Sequence, residues 1–348
     1  MPRILSVSHA LPRHRYSQDE IRRAASSLFA SLHEAPRLLR VFDNSRIESR
    51  QFMRPLEWFA RPASAAERSR IYLEEGVELA LQAARDCLES AGVAPEAVDR
   101  VIFVSSTGFA TPTPDAYLIN RLGMRPETRR SPLWGLGCAA GAAGISRAFE
   151  ACRAFPDSYV LLVALECCSL TFVEGDLSKK NMVAAALFSD GAAAVLLGGD
   201  RVPGRGPGVV AASSHLFPDT YRMMGWDFVD DGMRLVLSPR LPALVRSRIP
   251  SLVASVKEEH GIGDFSFYVT HPGGARVMDA YSEALGLAPA DLSLSEEVLR
   301  RHGNMSWVSV LLVLERWLAG DGAHGGYGLL SAFGPGFSAE LVVLQEEA

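Results

Sequence analysis

Two stretches of this 348-residue chain echo each other. VIFVSSTG (101–108) and FYVTHPGG (267–274) are apolar, β-branched runs that break into polar, glycine-containing loops. A second pair keeps the same offset. Gly137-Cys138 opens a run of small residues, Gly303-Asn304 opens MSWVSVLLVLERWL, and each pair is about 165 residues apart. A third pair, FSDGAAA (188–194) and FGPGFSA (333–339), shares its Phe, a Gly and the last Ala, but slips by about 20 residues. Three elements in one order predict a duplicated α/β unit, one copy per half. The Gly/Pro-rich segment GDRVPGRGPGVVAASSHLFPDT reads as a hinge, dividing the chain into 1–210 and 211–348.

The local patterns agree with layered α/β. RILSVSHALP predicts a first buried strand ending at Pro12, and Ser17 a cap for the helix that follows, with acidic residues in its first turn. Residues 67–91 have the apolar spacing of a long helix closed by Gly92, with Cys87 packed inside. YVLLVALE and AAALFSDGAAAVLLGG are strand-rich. Near-continuous apolar strands alternating with helices predict a sheet covered on both sides.

Composition excludes several classes. A net charge of −5 argues against a nucleic-acid surface, while leaving room for a local basic patch that binds an anionic cofactor. Cys87, Cys138, Cys152, Cys167 and Cys168 are odd in number and lack Cys-x-x-Cys spacing, so neither a disulfide framework nor a structural zinc is expected. The N-terminus lacks a signal-peptide core, and the longest apolar runs are too short to span a membrane. A cytoplasmic protein is expected.

Three residues could carry chemistry. Cys138 follows WGLG and precedes AAGAAG. A buried free cysteine is one reading. The other is a nucleophile at a tight strand-to-helix turn, where free N–H groups and the helix dipole lower the thiol pKa. His271 sits where an apolar strand breaks into Pro-Gly-Gly, placed to face a cleft or simply satisfied in its loop. Asn304 could cap the helix after it or donate an amide hydrogen bond. The repeat makes Cys138 and Asn304 equivalent. A pseudo-twofold would bring those helix starts together with His271, assembling a thiol, an imidazole and an amide donor, the parts of a thioester-handling site.

GLGCAAG (135–141), ALFSDGAAAVLL (186–197), THPGGARVMDA (270–280), GNMSWVSVLLVLE (303–315) and AFGPGFSAE (332–340) resemble the type III polyketide synthases, the chalcone synthase-like branch of the thiolase-fold condensing enzymes. The resemblance implies a thiolase-like α/β fold with a duplicated, layered α-β-α-β-α core. Cys138 matches the nucleophile that takes the starter acyl group from coenzyme A. His271 matches the histidine that keeps it as thiolate and assists malonyl decarboxylation, and Asn304 the amide that helps hold the enolate. Phe188 matches one of two gate phenylalanines, and Leu235 stands where the second would be. Gly334, Pro335 and Gly336 match a loop shaping the cavity wall, while Cys168, Thr171 and Trp226 fall near positions that influence chain length and cyclisation.

The resemblance also implies substrates and partners. Acyl-CoA and malonyl-CoA are the expected substrates, with no permanently bound cofactor and no metal. VFDNSRIESRQF aligns with a basic helix that holds coenzyme A phosphates, making Arg46 and Arg50 weak candidates, although Glu48 stands where a lysine is expected. That departure leaves room for an acyl carrier protein as starter donor. The expected product is an alkylresorcinol or alkylpyrone from a long-chain acyl starter. The alternatives are a malonyl-primed tetrahydroxynaphthalene-type synthase and a ketoacyl synthase III-like enzyme making a single condensation. A homodimer is implied, with Met124 or a neighbour in GFATPTPDAYLINRLGM reaching the partner's cavity.

Overall fold

The computed structural model describes residues 1–31, 34–230, 232–320 and 325–346. The first half begins with β1 (Arg3–Ala10), which stops just short of Pro12. β2 (His14–Ser17) pairs with β3 (Ser49–Phe52) in a short antiparallel ladder. Between them lie α1 (Gln18–Leu28), α2 (Ala35–Leu38) and α3 (Arg40–Asp43). Ser17 caps α1 reciprocally: its hydroxyl accepts the Glu20 N–H, and the Glu20 carboxylate accepts the Ser17 N–H. The long helix is present but not uniform. α4 (Ala65–Ile71) passes through a wide π turn at Tyr72–Gly76 into α5 (Val77–Ala91), which ends at Gly92 with φ +64°.

The half continues through β4 (Val98–Ser105), α6 (Pro114–Leu122), β5 (Arg129–Trp134) and α7 (Ala140–Ala154). It closes with β6 (Tyr159–Cys167), α8 (Lys179–Leu187) and β7 (Asp190–Gly198). The second half opens with β8 (Gly208–Leu216) and the hairpin β9 (Met224–Val229) and β10 (Gly232–Leu237). Then come α9 (Leu241–His260), β11 (Phe267–Thr270), α10 (Ala275–Leu285) and α11 (Ser293–His302). α12 (Val308–Ala319), β12 (Gly326–Gly334) and β13 (Ser338–Glu346) complete it.

Strand order displays the duplication. The first half reads β1-β7-β6-β4 with β5 outermost, and the second reads β8-β13-β12-β11. In each, the first two pairings are antiparallel and the third is parallel. β4 and β11 are the two echoing stretches. The slip in the third repeat also has a cause. β6 and β7 are separated by 168–189, which carry a 3₁₀ turn and α8, whereas β12 and β13 are joined across 335–337. The division expected at 210/211 falls inside β8. Residues 208–216 of the segment read as a hinge form that strand, held in register by β13.

Alternation along the strands builds the layers. In β6, Leu161, Val163 and Leu165 join the core beneath α5, while Val160, Leu162 and Ala164 face a central core shared with α7 and α12. In β13, Val342 and Leu344 face that same central core, whereas Leu341 and Val343 pack with α9 and α10. The result is the α-β-α-β-α stack, with α7 and α12 buried in its middle. Among the described residues no helix is long and apolar enough to cross a membrane.

The two middle helices meet at Gly141. A Cβ there would lie 2.7 Å from Val310 Cγ1 and 3.1 Å from the Trp307 carbonyl oxygen. Gly141→Ala would gain roughly 1 kcal/mol of helix propensity. Val310 is fully buried and β-branched, however, and the carbonyl cannot rotate away. The clash should win, giving a net loss of roughly 1–3 kcal/mol, read as a lower midpoint in urea unfolding. An unchanged or higher midpoint would mean that the helix pair separates at no cost.

Candidate active site

Cys138 sits in a single 3₁₀ turn, Gly137–Ala139, that leads into α7. Gly137 makes the turn possible. Its φ is +47°, and a Cβ would sit 2.6 Å from Pro335 Cδ. The Gly334-Pro335-Gly336 turn is therefore packed directly against the turn that carries the thiol, and this is the contact the structure gives to that predicted wall loop. The Gly137 N–H donates to Ser106 Oγ at 3.1 Å. Cys138 is half-buried, whereas the other four cysteines are fully enclosed.

A run of short contacts joins the three expected residues. The Ser306 hydroxyl meets Cys138 Sγ at 3.6 Å. The Ser306 N–H donates to Asn304 Oδ1 at 2.7 Å, and Asn304 Nδ2 donates to the Gly273 carbonyl at 3.0 Å. The Gly273 N–H turns back onto the His271 carbonyl at 2.9 Å. His271 follows β11 directly, its N–H held by the Ser331 carbonyl. The equivalence expected between Cys138 and Asn304 needs correction. Cys138 stands two residues ahead of α7, and Ser306, not Asn304, stands two residues ahead of α12. Ser306 has φ +54°, unusual for a residue with a Cβ. Sequence reasoning missed it, although counting back from the two helix starts would have found it.

The electrostatics favour neutral groups. Burial pushes the Cys138 thiol up to about 12, with the Ser306 hydroxyl pulling weakly the other way. Burial lowers His271 to about 3, and neither ring nitrogen has a hydrogen-bond partner in the protein. The helix-start effect expected to favour the thiolate is thus outweighed by desolvation. Burial thus opposes a charge on either group taken alone.

Asn304 is tied to the predicted gate. Its N–H donates to the Leu187 carbonyl, and its own carbonyl accepts the Ser189 N–H, placing Phe188 alongside. The Phe188 ring lies 5.7 Å from that of Trp226, and Trp226 faces Leu235 across the β9–β10 hairpin. Leu235 is buried. Cys168 and Thr171 occupy the 3₁₀ turn after β6. With Phe188 they border a small, largely apolar cavity of about 60 Å³ that also reaches Leu28, Phe29 and Ala185.

Several expected residues lie elsewhere. The segment read as a basic helix ends α3, turns, and becomes β3. Arg50, on β3, is fully buried and is no entrance residue. It donates to the Gln18 side chain and, at 2.8 Å, to the carbonyl of Phe188, the expected gate residue. Burial lowers its pKa to about 9. Arg46 is exposed but already paired with Asp279 and Glu296, while Glu48 pairs with Arg300. Met124 is buried in the first-half core and cannot reach a neighbour's cavity.

Known proteins share this arrangement. Residues 54–201 match the N-terminal domain, and residues 208–347 the C-terminal domain, of the chalcone and stilbene synthases. The chain belongs to the chalcone and stilbene synthase family. It is 39% identical to a Bacillus subtilis (strain 168) protein named "Putative chalcone synthase", over 99% of this chain and 98% of that one. It is 36% identical to 1,3,6,8-tetrahydroxynaphthalene synthase of Streptomyces peucetius subsp. caesius, over 98% of this chain and 92% of that one. The crystal structure of the Streptomyces coelicolor A3(2) tetrahydroxynaphthalene synthase, a bacterial type III polyketide synthase, superposes with a TM-score of 0.95. That match covers 99% of both chains at 31% identity. The chain is thus a condensing transferase with a type III polyketide synthase site, built for iterative decarboxylative condensation with malonyl-CoA.

Proposed function

We propose that this synthase primes itself with malonyl-CoA and builds a small polyhydroxylated aromatic of the tetrahydroxynaphthalene type. The observation that carries this reading is the near full-length likeness to tetrahydroxynaphthalene synthases in both sequence and fold. The site supplies the steps. Cys138 loses its proton to His271 and attacks the thioester carbonyl; coenzyme A leaves as its thiolate and takes that proton. A further malonyl-CoA sheds carbon dioxide, and its enolate oxygen is held by His271 and Asn304. The enolate carbon then attacks the acyl-sulfur carbonyl, the C–S bond breaks, and the chain leaves on coenzyme A two carbons longer. Transfer back to Cys138 starts the next round.

One observation favours the long-chain acyl starter as a second reading. The cavity beside Phe188, Cys168 and Thr171 is small but lined largely by apolar side chains, which an alkyl tail would prefer over a polar starter. A homodimer is supported by the exposed rings of Phe109, Trp134 and Phe228, which pack on one another at 4.8–5.8 Å and offer an apolar surface to a second copy.

The test is a primer scan with product masses. Malonyl-CoA alone should yield a ten-carbon product from five malonyl units. Product appearing only with long-chain acyl-CoA, at alkylresorcinol or alkylpyrone masses, would replace the first reading with the second. A linear product containing one malonyl unit would defeat both.

A further inference from the structure

Glu166 is a fully buried acid beside the nucleophile that the steps above leave unused. It ends β6 within the run YVLLVALECC, where every neighbour in the strand is apolar or small. A carboxylate is costly to bury unless donors replace its water, and three do. The Ser106 N–H donates to Oε1 at 2.9 Å, the Thr107 hydroxyl to Oε2 at 2.6 Å, and the Trp307 indole N–H to Oε1 at 2.6 Å. The first two donors follow β4 in the first half. The third stands at the start of α12 in the second.

The network leads to the nucleophile from both sides. Ser106 Oγ accepts the N–H of Gly137, the residue before Cys138. Trp307 follows Ser306, whose hydroxyl meets the Cys138 sulfur. Thr107 Oγ1 also accepts the Cys167 N–H, fixing the end of β6 itself. The first half thus reaches Glu166 through Ser106 and Thr107 and the second through Trp307, and the two halves meet again at the Ser306–Cys138 contact. We propose that Glu166 and Trp307 are positioning residues that brace the two halves and set the Ser306 hydroxyl against the Cys138 sulfur for acyl loading. The proposal rests on Cys138 being the acylated residue and not on which starter is used.

The brace has an electrostatic signature. The titratable groups facing Glu166 are Tyr72, Cys138, Cys167 and Cys168. Negative charge on Glu166 opposes a thiolate on Cys138. Burial raises the Glu166 carboxyl to about 7, so that charge changes near neutral pH.

The test uses full-length Trp307→Phe and Glu166→Gln. Trp307→Phe keeps an aromatic ring but removes the N–H. Its acyl-adduct formation on Cys138, followed by intact mass with acetyl-CoA, should slow by roughly 10–100-fold. Malonyl-CoA decarboxylation, run by His271 and Asn304, should stay within about threefold. Glu166→Gln keeps an oxygen for the indole N–H and removes the charge, so loading should persist while iodoacetamide labelling of Cys138 moves to lower pH. Equal losses in both half-reactions with a lower unfolding midpoint, or wild-type loading in Trp307→Phe, would overturn the brace. Glu166→Gln labelling with an unmoved pH profile would overturn it as well, and does not depend on Trp307→Phe folding. Absence of any adduct in the wild-type protein would instead remove Cys138 as the loading residue.

Discussion

In Cys138→Ala, no acyl adduct should appear by intact mass after incubation with malonyl-CoA or acetyl-CoA. Product formation should fall by roughly 10⁴-fold or more, because removing the nucleophile of a coupled catalytic unit removes the covalent route. The remaining thiols are poor substitutes. Burial pushes Cys87 and Cys152 up to about 12, and drives Cys167 and Cys168 well above the ordinary thiol range. Malonyl decarboxylation should survive within about tenfold, since the groups that hold its enolate are not positioned by the sulfur. Asn304 is set by the Gly273 carbonyl and by main-chain bonds to Leu187 and Ser189. An adduct on Cys168, or sustained turnover, would transfer the nucleophile's role to another residue. Loss of decarboxylation equal to the loss of product would show that the thiol and the amide act as one unit.

Sequence alone reveals whatever is repeated or periodic. β4 and β11 echo each other because each makes the parallel pairing with the neighbouring strand of its half and then breaks toward the site. α7 and α12 both lie in the middle layer, where Gly141 lets them approach. The third repeat slips because α8 has no counterpart in the second half. Arg50 misleads for a different reason. A cation in a polar stretch suggests a surface, and only the pairing of β2 with β3 turns it inward onto the Phe188 carbonyl. Ser306 carries no compositional mark; its value lies in a left-handed backbone conformation and in the partner across the pseudo-twofold. Glu166 does carry a mark. A lone carboxylate in a strand otherwise buried on both faces is rarely tolerated without donors, so its place in YVLLVALECC is by itself a sign of a hydrogen-bonded network.

Replacing His271 by alanine should be the most damaging change that leaves the thiol in place. With its pKa at about 12, an unaided Cys138 would be ionised in only about one molecule in 10⁵ at pH 7. Iodoacetamide labelling of Cys138 in His271→Ala should therefore fall at least ~100-fold at pH 7 and climb about tenfold per pH unit toward pH 10. The wild-type protein should label faster at every pH below that, because the imidazole takes the thiol's proton and the two charges form as a pair. Decarboxylation should fall with it, by roughly 10²-fold or more, since the enolate loses one of its two donors. The measurement separates two sources of thiolate. If His271→Ala labels as readily as wild type with a level profile from pH 6 to 9, the N–H groups at the start of α7 suffice, and the histidine serves only decarboxylation. The enclosure of Cys138 argues against that outcome. Partial charges at a helix start contribute up to about 2 kcal/mol, whereas lowering a thiol from about 12 to neutrality demands several pKa units at about 1.4 kcal/mol each. On the proposed mechanism the attraction between the thiolate and a protonated His271 supplies the difference, and both His271 ring nitrogens lack a hydrogen-bond partner in the protein.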